Sequence, residues 1–223
     1  MLRTLSKLFI ITLLASSAYA QQQFTHTVTA QNKGCNAVCS VMDVAELNNN
    51  PAAIILITPL DNSGKAHPVT AYYMYLKKWS VMNLDGVAIA EGAKFKVEYF
   101  PNSGPDRFVY VVPRQVHLTD VPYIDHEGLN NNPNAQIRIS RNGIATAAGL
   151  ANRDEIKVEY DTTVGKWYVA NLNSKPVPWG ASYNVVFAAG GSSESIATNR
   201  TPSPTRPPRP DSSPKPSAPA FMA

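Results

Sequence analysis

From Phe24 onward, hydrophobic and polar positions alternate in short bursts instead of recurring every three or four residues. FTHTVTA at 24–30 alternates one for one, AAIILIT at 52–58 is a continuous run of strand length and of the buried type, and AYYMYL at 71–76 is aromatic. WSVMNL at 79–84, KFKVEYF at 94–100 and FVYVV at 108–112 continue in the same manner. A period of two sends successive side chains to opposite faces of a sheet, and short runs of this kind between turn formers predict strands. The chain is predicted to be all-β.

The pattern is written twice. LNNNPAAIILIT at 47–58 returns as LNNNPNAQIRIS at 129–140, an offset of 82. KKWSVMNL at 77–84 returns as GKWYVANL at 165–172, and GAKFKVEYF at 92–100 as GASYNVVFA at 180–188, both at an offset of 88. The extra residues fall in turns, where insertions leave strand register intact. The copies begin alike, FTHTV at 24 and FVYVV at 108, and the turn-forming PNSGPD at 101–106 divides them. A repeat of about 80 residues exceeds the solenoid range and predicts tandem domains, 21–106 and 107–189. Within each LNNNP, asparagine accepts tight backbone angles and proline holds its predecessor extended, so the string is predicted to be a turn that launches a strand.

The ends of the chain differ from this middle. Residues 1–20 carry Arg3 and Lys7, an apolar run from Leu8 to Leu14, and Ala18-Tyr19-Ala20. That is the pattern of a secretory signal peptide cleaved after Ala20, and it is too short for a membrane span. The expected destination is the periplasm or the exterior. Residues 190–223 hold eight of the eighteen prolines among Ser, Thr and isolated basic residues, a composition that predicts a disordered, polyproline-like tail.

Charge changes the picture only through its placement. The formal net charge is +4, yet leader and tail take six basic and two acidic residues, leaving 14 of each sign between them. A neutral folded part argues against nucleic acid as partner, since phosphate neutralisation supplies that affinity. The two cysteines, in CNAVC at 35–39, are expected to form a disulfide in an oxidising compartment. A metal site or a redox pair is the alternative, but a zinc site needs more ligands and a thioredoxin-like centre has C-x-x-C spacing.

The order N-N-N-P-N-A, a V/I-rich strand, an aromatic strand, K-W-x-V/I-x-N and G-A-x-F/Y-x-V resembles an uncharacterised β-domain of secreted bacterial proteins. That domain, one of unknown function, recurs singly or in tandem. The resemblance covers nearly all of 24–188, in two copies, and the second keeps more of the pattern. YIDHEGLNNNPNAQIRIS at 123–140 has Asp125, His126 and Asn134, where the first copy has Asp43, Val44 and Ala52. The resemblance implies a compact β fold and export, with no established chemistry; no cofactor is expected.

Candidate chemistry is sparse. Asp125-His126-Glu127 is the most reactive-looking string, but neighbours on an extended chain point to opposite faces, so a surface loop is the expectation. No G-x-S-x-G, H-E-x-x-H or phosphate-cradling glycine loop is present, and no catalytic or metal-binding residues are assigned. Asp61-Asn62-Ser63-Gly64 and Asn83-Leu84-Asp85-Gly86 are expected to be turns. Trp79 and Asn83, and likewise Trp167 and Asn171, share a strand face by spacing. Each pair is either a platform on which a sugar ring stacks or the anchor of a small core; Trp179, in KPVPWG of the second copy only, is expected to be exposed and joins Trp79, Asn83, Trp167 and Asn171 as a candidate ligand-binding residue.

The architecture expected is two antiparallel sandwich-like or barrel-like units plus the tail, with one larger sandwich as the alternative. The function expected is a secreted, non-enzymatic binding or surface-interaction module, with a glycan, envelope polymer or protein as ligand. Duplication suits such a role because two linked sites raise avidity. A structural component of the cell envelope and a secreted hydrolase are the alternatives.

Overall fold

The structure, a computed structural model, describes residues 21–65, 67–74, 76–114, 121–143 and 152–188. Both the signal-peptide pattern with its Ala20 site and the proline-rich segment 190–223 lie outside the described residues. In the first copy the strands are β1 (Gln22–Thr27), β2 (Lys33–Gly34), β3 (Cys39–Met42), β4 (Ile54–Pro59), β5 (Val69–Tyr73), β6 (Trp79–Asn83) and β7 (Lys94–Phe100). The second contributes β8 (Arg107–Val111), β9 (Tyr123–Ile124), β10 (Gln136–Arg141), β11 (Ile156–Asp161), β12 (Lys166–Asn171) and β13 (Ser182–Ala188). The Asp61–Gly64 stretch forms a single helical turn, α1 (Asn62–Lys65), with the Gly64 N–H donating to the Asp61 carboxylate at 2.9 Å. Among the described residues no helix is long and apolar enough to cross a membrane.

The two copies have one topology. Antiparallel sheets ordered β1–β7–β4 and β2–β3–β6–β5 build the first; β8–β13–β10 and β9–β12–β11 build the second. Strand for strand they correspond, apart from the additional β2. Each pair of sheets encloses its own core. Ile55, Ile57, Phe95 and Val97 meet Ala71, Trp79 and Val81 in the first, and Tyr183, Val185 and Phe187 meet Ile124 and Val169 in the second.

The difference between AAIILIT and NAQIRIS explains how the copies sit together. In β4, Ile55 and Ile57 point into the first core, while Ile54 and Leu56 point outward and join Phe100 and Val186 of the second copy in a separate buried cluster. Each such side chain contributes roughly 1.5–3 kcal/mol on leaving water. At the matching outward positions β10 carries Gln136, Arg138 and Ser140, so that strand alternates. Arg138 pairs with Glu98 at 2.9 Å. In the repeat, Arg138 corresponds to Leu56 and Glu98 to Val186, so the seam has near-twofold character, apolar on one side and ionic on the other.

The second copy also covers the open edge of the first. The Ile55 carbonyl of β4 accepts from Ser140 Oγ and Asn184 Nδ2, both at 2.7 Å, and the Ala71 carbonyl of β5 accepts from the Gly143 N–H at 2.6 Å. Edge carbonyls capped in this way do not template another strand.

The copies diverge at β3 and its counterpart β9. In the first, Cys39–Met42 pairs along β6, held by the Cys35–Cys39 disulfide across a turn in which Cys35, Asn36 and Ala37 are all left-handed (φ 52°, 55° and 70°). In the second, Pro122 stands where Ser40 would be and has no N–H for the ladder, so β9 shrinks to two residues. Beside it, Val121, Tyr168, Ala170, Asn171 and Val177 line a shallow open groove of about 130 Å³.

Candidate functional site

The duplicated LNNNP is a structural joint. Leu47 and Leu129 are fully buried. Asn48 and Asn130 each donate to an aspartate, Asp43 and Asp125, at 2.8 Å. Those aspartates also take Lys78 and Lys166, at 2.6 and 3.0 Å. Asn49 and Asn131 are left-handed (φ 59° and 56°), which asparagine tolerates, and their N–H groups donate to the carbonyls of Lys77 and Gly165. The Asn50 and Asn132 carbonyls accept the indole N–H of Trp79 and Trp167, at 2.8 and 2.9 Å. Hydrogen bonds from Lys78 and Asn48 hold the Asp43 carboxyl below the usual range, and those from Asn130 and Lys166 do the same for Asp125.

The paired tryptophans and asparagines sit within this joint. Trp79 is wholly buried against Tyr73 (centroids 5.3 Å apart), and Trp167 is half-buried against Tyr160 at the same distance. Asn83 is buried and donates to the Val87 carbonyl; Asn171 donates to the carbonyls of Lys175 and Pro176 and accepts from Asn152. Both pairs do share a strand face, and it is the face turned to the core. Trp79 has no ring face left for stacking. Trp179 is apart from them and 49% exposed.

Two clusters resemble catalytic groupings and differ from them in geometry. His26 Nε2 lies 2.7 Å from Ser40 Oγ, but the Ser40 hydroxyl donates to Asn32 Oδ1 at 2.7 Å. The imidazole is therefore the Nε2–H tautomer donating to Ser40, the reverse of a base that takes the serine proton. Burial also keeps the imidazole neutral by lowering its pKa, and both side chains are buried. In Asp125-His126-Glu127, Asp125 serves the joint described above. His126 stacks on Phe108 at 4.5 Å, and its Nδ1 accepts the Gly128 N–H. Among the described residues no group of three or more His, Cys, Asp or Glu is placed to hold a metal ion.

Aromatic and charged side chains come together at the surface on the outward face of β9–β12–β11. Alternation turns Tyr123, Tyr168, Lys157, Glu159 and Asp161 to this side, because Ile124, Trp167, Val169, Ile156 and Val158 face the core. The Tyr123 and Tyr168 rings meet edge to face, centroids 5.9 Å apart. Tyr123 donates to Asp161 and Tyr168 to Glu159, each at 2.6 Å, and Lys157 donates to the other oxygen of Glu159. The bond to Glu159 pushes the Tyr168 phenol up to about 12, and the bond to Asp161 raises that of Tyr123. Asp161 and Glu159 are held low, Asp161 first by Tyr123 and Glu159 first by Lys157, so both stay ionised.

Neither tyrosine stands out in the sequence. Tyr168 occupies the position of Ser80 and Tyr123 that of Val41; on the equivalent face of the first copy Ser80 and Thr70 are buried and Tyr72 is partly exposed. The available signal was the outward series Lys157, Glu159, Asp161 in IKVEYD set opposite Tyr168 in KWYVAN.

Comparison with the curated proteins and with the solved structures gives no match. A family model described as a domain of unknown function, DUF7452, matches residues 6–97 and again 70–187. Two overlapping matches that together span most of the chain agree with two copies of one β topology, and the protein belongs to this DUF7452 family.

Proposed function

We propose that the protein is a secreted, non-enzymatic binding module built from a duplicated β domain, acting in the periplasm or outside the cell. Its contact surface is the outward face of β9–β12–β11. The observation that carries this reading is the Tyr123–Tyr168 pair, two aromatic rings set against the ionised Glu159 and Asp161. Aromatic rings supply contact area at small entropic cost, and carboxylates accept from hydroxyl, ammonium or guanidinium donors. Such a face suits a polypeptide or a hydroxyl-rich polymer and repels a polyanion. The leader pattern at 1–20 supports export, and the missing catalytic motifs support a binding role.

The test is retention of the full mature chain on cell-wall fractions, glycans and envelope proteins, compared with Tyr123→Ser/Tyr168→Ser. Retention that disappears in the variant supports the reading; equal retention of both sinks it.

One observation favours a second reading, an assembly role in the envelope. β8 is an edge strand of its sheet and exposes Val109 and Val111 at 41% and 42%. Oligomers in sizing chromatography that vanish on Val109→Lys would move the reading from ligand binding to assembly.

A further inference from the structure

We infer that the outward face of β9–β12–β11 receives the chain's own proline- and arginine-rich segment, centred on Pro204–Pro210 (PTRPPRP), in an intramolecular contact. The inference rests on the reading of that face as the contact surface and names its occupant.

Three properties match. The first is shape. PTRPPRP carries four prolines in seven residues and strongly prefers the polyproline II helix, which has no internal hydrogen bonds and is already ordered along its length. Aromatic-lined grooves bind such helices because the pyrrolidine rings pack between aromatic side chains and little ordering entropy remains to be lost. Tyr123 and Tyr168, edge to face on neighbouring strands, provide that surface, and the shallow groove beside Tyr168 extends it.

The second is charge. Outward positions of this face carry Glu155, Glu159, Asp161 and Asp125 against Lys157 and Lys166. Residues 200–210 hold Arg200, Arg206 and Arg209 and no acid. Guanidinium groups bind carboxylates in planar, two-pronged fashion, and the Tyr hydroxyls that donate to Glu159 and Asp161 leave further oxygen lone pairs open. The neutral body and the positive tail thus become complementary at one place.

The third is reach. β13 ends at Ala188, and the sixteen residues from there to Pro204 span up to roughly 50 Å when extended. Sheets of a sandwich lie about 10 Å apart and a strand of six residues runs about 20 Å, so the segment passes from the end of β13 around to the opposite sheet with length to spare.

The experiment uses the full mature chain with ¹³C-labelled tyrosine rings, the signals of Tyr123 and Tyr168 being assigned through Tyr123→Phe and Tyr168→Phe. Arg206→Ser/Arg209→Ser and Pro207→Ser/Pro208→Ser are expected to shift both ring signals and leave the buried Tyr110 and Tyr183 in place, which also reports that the fold is intact. A synthetic peptide of residues 202–211 added to either variant restores the original shifts. Glu159→Gln in that background weakens the peptide by roughly tenfold. Ring signals that ignore the tail substitutions overturn the inference. Shifts that fade on dilution also overturn it, because they mean docking onto a second copy. Retention of an external ligand by the face, with ring signals indifferent to the tail, overturns the inference while leaving the proposed function standing.

Discussion

The indole N–H of Trp79 donates to the carbonyl of Asn50 at 2.8 Å, tying the strand-launching turn to a strand 29 residues further on. Trp167 and Asn132 repeat the contact at 2.9 Å. A carbonyl that loses its donor keeps its desolvation cost, about 1–3 kcal/mol. Trp79→Phe is therefore expected to lower the unfolding free energy in urea by about 2 kcal/mol. Trp79→Ala, which also empties the core, lowers it by about 3–5 kcal/mol. Trp167→Phe has the smaller effect of the two Phe variants because its site is only half-buried.

Asn49 and Asn131 hold left-handed backbone, at φ 59° and 56°. A residue with a Cβ and no compensating side-chain amide pays about 1–2 kcal/mol there, whereas glycine does not. Thermal unfolding of Asn49→Ala and Asn49→Gly should separate, with the alanine variant melting lower, and the same ranking is expected at Asn131.

The seam offers a double-mutant test. Glu98 is buried and Arg138 largely so; Arg138 loses its ion pair when Glu98 is removed, whereas Glu98 keeps Lys96 at 3.2 Å when Arg138 is removed. Glu98→Val alone is expected to cost about 2 kcal/mol, below the 3–5 kcal/mol of a fully buried pair because Arg138 keeps some contact with solvent. Glu98→Val/Arg138→Leu recreates the apolar residues of the related side of the seam, Val186 and Leu56, and should recover most of that loss in chemical denaturation.

His26 gives stability a slope near neutrality. Burial lowers its pKa from 6.5, so the unfolded chain binds a proton there that the folded chain refuses. The stability linked to His26 is complete above pH 6.5 and is lost as pH falls from that value through the lower folded pKa. The lowered pKa values of Asp43, Asp125, Glu159 and Asp161 act further down: their contribution is present above the ordinary carboxylate range and is lost as pH falls from that range through their lower folded values. His26→Gln should flatten the slope between pH 7 and pH 5 in denaturant titrations and leave the acid limb unchanged.

Much of the fold was legible because register and repetition are local properties of the chain. The strands and the turn at LNNNP follow from alternation and from Asn, Pro and Gly. The continuous run AAIILIT also announced a strand buried on both sides, although its outer partner, Val186, is far away in sequence. The candidate surface was not legible. Trp79 attracts attention as a single residue, but whether its ring faces core or solvent depends on which sheet lies over it. Tyr123 and Tyr168 gain their character only by pairing across strands, and their carboxylate partners come from another strand of the sheet. His26, Ser40 and Asn32 likewise meet only through the pairing of separate segments.

Covalent footprinting of tyrosine rings and carboxylates in the chain carrying Arg206→Ser/Arg209→Ser, which leaves the face uncovered by the tail, with and without added cell-wall fractions, is the decisive measurement. The account expects Tyr123, Tyr168, Glu159 and Asp161 to become protected together while Tyr72, on the corresponding face of the first copy, keeps its reactivity. Protection confined to β8 and its neighbours, with the two tyrosines as reactive as before, would contradict it.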